Sequence, residues 1–107
     1  MNEYLILIAA HDEKSLSIEE GQKCITDYGK WASELGEKHV TGRRLAFTDG
    51  RLLPSKKEVV TDGPFVEAKE LIAGIILVQA ESLDHACELA DACPLRAYFQ
   101  LFVKETN

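Results

Sequence analysis

Ionisable side chains are concentrated in one short stretch of the chain, residues 61–70 (TDGPFVEAKE). Apolar segments flank it on both sides, so a polar loop is expected between two buried elements. Gly63 can take backbone angles closed to other residues, Pro64 fixes its own φ, and the Asp62 carboxylate can cap the turn. These residue types predict a rigid loop.

A rigid turn holds a carboxylate in place without a loss of entropy on binding, as a general base or a ligand acceptor requires. Asp62 is therefore our first candidate for a catalytic residue, and Lys69 is the natural cation to pair with it or to bind an anionic substrate.

The backbone of the loop decides which other charges join this pair. In an extended backbone Glu67 and Lys69 share a face and Glu70 opposes them. One helical turn begun at Pro64 would instead bring Glu67 beside Glu70, and the sequence leaves both open. Glu70 is a candidate ligand-binding residue. The alternative for the whole loop is a solvated connector whose charges have no function, because charge at functional sites is only a statistical signal.

Two arginines add a possible anion clamp. Arg43 and Arg44 are adjacent on a predicted strand, Val40–Phe47, so their side chains point to opposite sheet faces. We assign Arg43 to ligand binding, although the sequence does not decide which arginine faces inward. Trp31 and Phe65 are candidate walls of a ligand pocket, and core packing is the alternative role for both.

The elements that must position these residues begin with a strand, Tyr4–Ala10, which is apolar throughout and predicts burial on both faces. Ser17 and Glu20 form a capping-box pattern that starts a helix, and Gly36 is a plausible C-cap. Apolar residues at helical spacing predict that one face of this helix packs on a sheet: Cys24, Tyr28, Trp31 and Leu35.

The second half of the chain predicts a small hairpin, a central strand, a helix and a last strand. The hairpin covers residues 51–60 after Asp49–Gly50, and the central strand is Gly74–Gln79. Ser82 caps a helix that ends before Pro94, and Tyr98–Val103 is the last strand.

This order predicts an α+β domain of ferredoxin-like βαββαβ type with an extra small hairpin. Helices on one side of a mostly antiparallel sheet leave the other side bare, and a bare apolar face invites a partner. At 107 residues we expect a single domain with one core, spanning residues 1–107.

The loop also carries a resemblance. Residues 61–70, followed by Gly74 and an apolar strand, resemble the signature of the DGPF-domain family within the YCII-related superfamily. The likeness covers nearly the whole chain, including Tyr28 and Trp31 in the first helix. It implies a dimeric α/β barrel in which two sheets face each other, with a ligand pocket near that sheet face.

The resemblance implies a second pair of site residues. In YCII-related relatives an acid after the first strand and a histidine on the first helix are proposed as a catalytic pair. Those positions fall at His11 and Tyr28 here, so the resemblance implies a hydrogen bond between them. The alternative is that Tyr28 is a core aromatic. Many relatives also end in Glu-Val-Arg-Pro, where this chain has residues 102–105 (FVKE).

Composition limits the partners. The chain has 18 acidic and 12 basic residues and a formal net charge of -6, which repels phosphate backbones, so we expect no direct nucleic-acid binding. No apolar run approaches the roughly 18 residues that span a bilayer, and the N-terminus lacks the positive charge of a signal peptide. We expect a cytoplasmic protein without membrane contact.

Metal and disulfide chemistry have no support in the sequence. The cysteines form no C-x-x-C pair, and we expect free, mostly buried thiols at Cys24, Cys87 and Cys93. The histidines have no metal-ligand spacing, and they are His11, His39 and His85. We predict neither a metal nor a cofactor.

Two functions fit these features. The first is a small homodimeric enzyme that uses Asp62, Lys69, His11 and Tyr28 on a small polar or anionic substrate. The second is a non-catalytic module that binds a ligand or a protein in regulation linked to sigma factors, a context that the family resemblance implies.

Overall fold

The computed structural model describes residues 1–10, 16–45, 53, 56 and 71–107. These residues form a mixed α+β structure with a four-stranded sheet and two long helices. In chain order the elements are β1 (Asn2–Ala10), α1 (Ile18–Leu35), β2 (His39–Arg44), β3 (Leu71–Ala80), α2 (Leu83–Asp91) and β4 (Gln100–Glu105). Short 3-10 helices lie at Gly36–Lys38 and Pro94–Ala97.

The strands are ordered β2-β3-β1-β4, and every neighbouring pair is antiparallel. It follows that β1 runs parallel to β2 with β3 between them, and that β3 runs parallel to β4 with β1 between them. A helix connects β1 to β2 and another connects β3 to β4. This arrangement is compatible with a ferredoxin-like fold.

Both helices begin where their capping residues predict. The Ser17 hydroxyl accepts from the Glu20 backbone N–H at 3.1 Å, and the Glu20 carboxylate accepts from the Ser17 N–H at 3.1 Å. Gly36 ends α1 with a φ of 58°, which is open to glycine at little cost. The Ser82 hydroxyl caps α2 by accepting from the His85 N–H at 3.1 Å. These three satisfied backbone donors fix the N-terminal ends of both helices.

The core lies between the helices and one face of the sheet. Its largest fully buried side chains come from β1 and β3 and are Tyr4, Ile6, Ile76 and Val78. Trp31 of α1 packs against this cluster, and its indole N–H donates to the Leu89 carbonyl of α2 at 3.0 Å. The indole therefore joins the two helices above the sheet.

The opposite face of the sheet is apolar and more exposed, because neither of the described helices packs on it. Its residues are half-buried or exposed, and we call this set the open sheet face: Leu5, Leu7, Ile75, Leu77 and Phe102. The strand β1 was predicted to be buried on both sides. Within one chain it alternates between buried and half-buried residues up to Ile8, because both described helices pack on the other face.

The strand bounds differ from the prediction near the C-terminus. A 3-10 helix occupies Pro94–Ala97, so β4 starts at Gln100, later than predicted, and continues to Glu105. The hairpin predicted over residues 51–60 and the loop at residues 61–70 lie outside the part that the structure describes. In the described part, none of the helices has the length and apolar character needed to cross a membrane.

Candidate functional site

A cavity of about 540 Å³ opens between the first half of α1 and the neighbouring ends of β2 and β3. It lies on the helix-covered side of the sheet, since Ile8, Ile76 and the inner face of α1 line it. Most of the described lining is apolar, and Phe99 and Leu95 contribute from the segment after α2. Apolar clefts of this size are typical of small-molecule sites.

Tyr28, which α1 carries at its inner face, is one of the polar residues that line this cavity. The Tyr28 oxygen lies 2.6 Å from Nε2 of His39, the first residue of β2. The two rings meet edge to face with centroids 5.8 Å apart. Trp31 packs against both, with centroids 5.6 Å from Tyr28 and 6.0 Å from His39. Contacts with the Trp31 and His39 rings therefore fix the direction of the hydroxyl.

Gly42 makes this contact possible. A Cβ atom at Gly42 would collide with the Tyr28 hydroxyl oxygen and would lie 3.7 Å from His39 Nε2. Because glycine has no side chain, the phenol can pass over β2 and reach the imidazole. Gly42 and Tyr28 both line the cavity.

The electrostatic environment keeps Tyr28 protonated at neutral pH. Burial raises the pKa of its hydroxyl, and the nearby Cys93 sulfur raises it further. Burial also raises the pKa of the Cys93 thiol to about 11. Burial raises the pKa of Cys24, which lines the cavity. The three groups are thus neutral donors and not anions, so an anionic ligand would meet no buried negative charge from them.

The two arginines lie on different faces of β2. The register pairs Arg43 with Ile75, on the open sheet face, and pairs Arg44 with Gly74, opposite Ile8 on the helix-covered side. Both residues contribute to the cavity lining. The Arg43 guanidinium donates to the Gly42 carbonyl at 3.1 Å. Arg44 is therefore the arginine that shares a face with the Tyr28 hydroxyl.

The family model described as the YCII-related domain matches residues 3–105. This chain belongs to the YCII-related family. The superfamily resemblance seen in the sequence is thereby confirmed. No curated protein matches the chain.

A solved structure with a similar fold is 5-chloro-2-hydroxyhydroquinone dehydrochlorinase from Burkholderia phenoliruptrix AC1100, in complex with 2,5-dihydroxybenzoquinone. It is 14% identical, and the match covers 98% of this chain and 93% of that chain with a TM-score of 0.59. At this identity the likeness shows a shared fold and nothing about the reaction.

Most of the predicted site residues of this YCII-related chain lie outside the described part, so their positions stay predictions. They are His11, Asp62, Phe65, Lys69 and Glu70. Among the others, Tyr28 and Arg43 line the cavity, whereas Trp31 is buried in the core behind Tyr28. The cavity is on the helix-covered side, although we expected a pocket at the bare face.

Sequence reasoning missed His39 as a site residue. It was noted only as one of three histidines without metal-ligand spacing. Its partner Tyr28 lies eleven positions earlier on another element, so their contact depends on how β2 is placed against α1. A glycine three residues after His39 was the available signal, because it leaves room above the strand. Among the described residues, no group of three or more His, Cys, Asp or Glu side chains could hold a metal ion.

The replacement Gly42→Ala should break the contact between Tyr28 and His39. The added methyl group would force the phenol away, and we expect a loss of about 1–3 kcal/mol in the free energy of unfolding, measured by urea denaturation. Gly29→Ala is the matched control, because a Cβ there meets nothing within 4 Å and alanine favours a helix.

A double replacement identifies the colliding group. In a Tyr28→Phe background the hydroxyl is absent, so Gly42→Ala should cost clearly less than in the wild-type background. An equal cost in both backgrounds would contradict the proposed role of Gly42.

Proposed function

We propose that this YCII-related chain is a small enzyme that acts on a small anionic substrate with an apolar body, bound in the cavity between α1 and the sheet. The observation that carries the proposal is that Tyr28, whose hydroxyl is held by His39, lines a largely apolar cavity. A buried polar group with a defined direction is what a site needs to orient a ligand.

The charge of the substrate follows from what surrounds the hydroxyl. Arg44 lies two residues from Gly42 on the same face of β2, roughly 6–7 Å along the strand. When Nε2 of His39 carries a proton and donates it to the Tyr28 oxygen, the phenol can donate its own proton to a carboxylate or a phenolate, together with the guanidinium. The described carboxylates are not among the lining residues of the cavity, so the described lining favours an anion over a cation.

The comparisons give independent support for an enzyme. The neighbour in fold is named as a dehydrochlorinase, and its structure is a complex with a small organic compound. A shared fold does not transfer that reaction. It does make a small organic substrate a reasonable choice for the cavity of this chain.

The loop at residues 61–70 completes the proposed enzyme. We propose that the chain is of the DGPF type, that Asp62 acts as a general base or ligand acceptor, and that Lys69 pairs with the substrate. Asp62→Asn should then abolish turnover of a substrate while leaving the fold intact. These roles rest on residue chemistry and on the rigid turn that Gly63 and Pro64 predict.

We further propose that the protein is a homodimer, forming an α/β barrel in which two open sheet faces pack together. The support is the apolar character of that face, where Leu5 and Leu77 form a cross-strand pair and Phe102 is 52% exposed. Large apolar side chains in one exposed area usually mark an interface. A twofold axis would bring identical leucines together.

Binding of benzoate tests the cavity as an anion site. Benzoate has an apolar ring and one carboxylate, and we expect it to bind the wild-type protein measurably in titration calorimetry. Arg44→Ala should weaken binding about tenfold, because a charge-assisted hydrogen bond is lost. The matched control is Arg96→Ala, which removes the same charge from an exposed residue outside the cavity lining and should change binding less than twofold.

Loss of binding in Arg43→Ala with no effect of Arg44→Ala would contradict this site and favour the open sheet face.

Chemical conversion of a bound compound is a separate question from its binding. If small carboxylates and phenols bind in the cavity, and mass spectrometry recovers all of them unchanged, the chain is a binding protein and the enzyme proposal is wrong.

Association is tested by placing a charge in the middle of the open sheet face. Leu77→Glu should convert the dimer into a folded monomer, measured by analytical ultracentrifugation, because a carboxylate in an apolar interface is unpaired. Leu83→Glu makes the same change at an exposed position of α2 and should leave the dimer intact. A wild-type protein that sediments as a monomer would contradict the barrel.

A further inference from the structure

The contact between Tyr28 and His39 joins two groups that can each give or accept a proton. A phenol has one proton and two lone pairs, and an imidazole nitrogen can hold or release a proton near neutral pH. Their separation of 2.6 Å is short for a hydrogen bond between oxygen and nitrogen. A proton can pass between the two atoms without any movement of the rings.

We propose that Tyr28 and His39 form a proton relay that removes the proton from an acidic O–H group of a ligand in the cavity. The ligand class is a small phenol or enol with an apolar body. This inference rests on the proposed function, since it requires that the cavity is a substrate site. Tyr28 is the catalytic residue, because it lines the cavity in which the ligand would bind, and His39 is a positioning residue that acts through Tyr28.

The relay moves one proton and changes no other bond. The ligand O–H bond breaks and its proton forms a new bond to the Tyr28 oxygen. At the same time the original Tyr28 proton leaves that oxygen and binds Nε2 of His39, which uses its lone pair. The products are a ligand anion, a neutral phenol and an imidazolium, so the total charge is unchanged. The reverse transfer returns the proton to the ligand.

Three features of the structure favour this relay over a merely structural hydrogen bond. Tyr28 and Gly42 both line the cavity, and the absent side chain at Gly42 leaves room beside the hydroxyl. Burial keeps the phenol neutral, so it can pass a proton on without becoming a stable anion itself. Arg44 shares this face of β2 and can stabilise the ligand anion that forms.

His39 can exchange the proton with water because it is only half-buried, unlike the core residues around it. The described groups packed around its ring are Tyr28 and Trp31 from α1, and its register partner on β3 is Val78. None of these three carries a charge at neutral pH. The proton received from Tyr28 is therefore held by the imidazole and not by a carboxylate from these elements.

The test uses 4-nitrophenol, whose anion absorbs visible light, at a pH where the free compound is mostly neutral. In the wild-type protein the bound compound should show the spectrum of the anion. Nitrogen-15 NMR of the imidazole should show that Nε2 of His39 becomes protonated on binding. The spectra of free and bound 4-nitrophenol are compared at one pH, so the experiment reports whether the bound compound keeps its proton, as well as its affinity.

Two variants isolate the relay. His39→Gln can still hydrogen bond to Tyr28 but cannot take its proton, so the bound compound should stay neutral. Tyr28→Phe should also leave it neutral and weaken binding about tenfold. Thermal unfolding followed by circular dichroism confirms that both variants fold. An anion spectrum in His39→Gln equal to wild type would overturn the relay.

Benzoate separates failure of the relay from failure of the proposed function, since a carboxylate has no proton to give at neutral pH. If benzoate binds through Arg44 but bound 4-nitrophenol stays neutral in the wild-type protein, the relay is wrong and the anion site stands. The relay is also wrong if 4-nitrophenol does not bind. If neither compound binds, both proposals fail.

Discussion

The approach of the Tyr28 hydroxyl to His39 across Gly42 is the constraint on which the site depends. Glycine at this position is the reason that a phenol from the helix can cross a strand of the sheet and meet an imidazole. Without that crossing the cavity would lack a hydroxyl group held in place by the packing of the core. With it, one hydroxyl is held beside an arginine-bearing strand, where a ligand can be oriented.

The rest of the fold keeps this contact in place. Trp31 packs on both rings and donates its N–H to Leu89 of the second helix, so movement of the phenol would disturb the junction between the helices. Packing of this kind is costly to rearrange, because protein cores are filled at close to crystal density. The hydroxyl is thus set by the core and not by a loop, which favours precise positioning.

Local chemistry in the sequence predicted much of the fold. Ser17 and Ser82 cap the helices, and the order of the described strands and helices is the predicted one, because caps and hydrophobic periodicity act over a few residues. What packs on each face of β1 could not be predicted, since an all-apolar strand has the same sequence pattern whether a helix or a second chain packs on it.

The site was less predictable for a related reason. Tyr28 could be named from the family resemblance, but its contact with His39 depends on strand register. The register of β2 shifts between His39 and Thr41, which decides that His39, Gly42 and Arg44 face the helix. A one-residue slip would turn each of them to the opposite face. No short-range pattern in the sequence specifies such a shift.

The most direct test of the site is a crystal structure of the wild-type protein soaked with benzoate. The arrangement of Tyr28, Gly42 and Arg44 predicts density for the ring between α1 and the sheet, with the carboxylate within hydrogen-bond distance of both the Tyr28 hydroxyl and the Arg44 guanidinium. Benzoate bound instead on the open sheet face, or a Tyr28 hydroxyl turned away from His39, would contradict it.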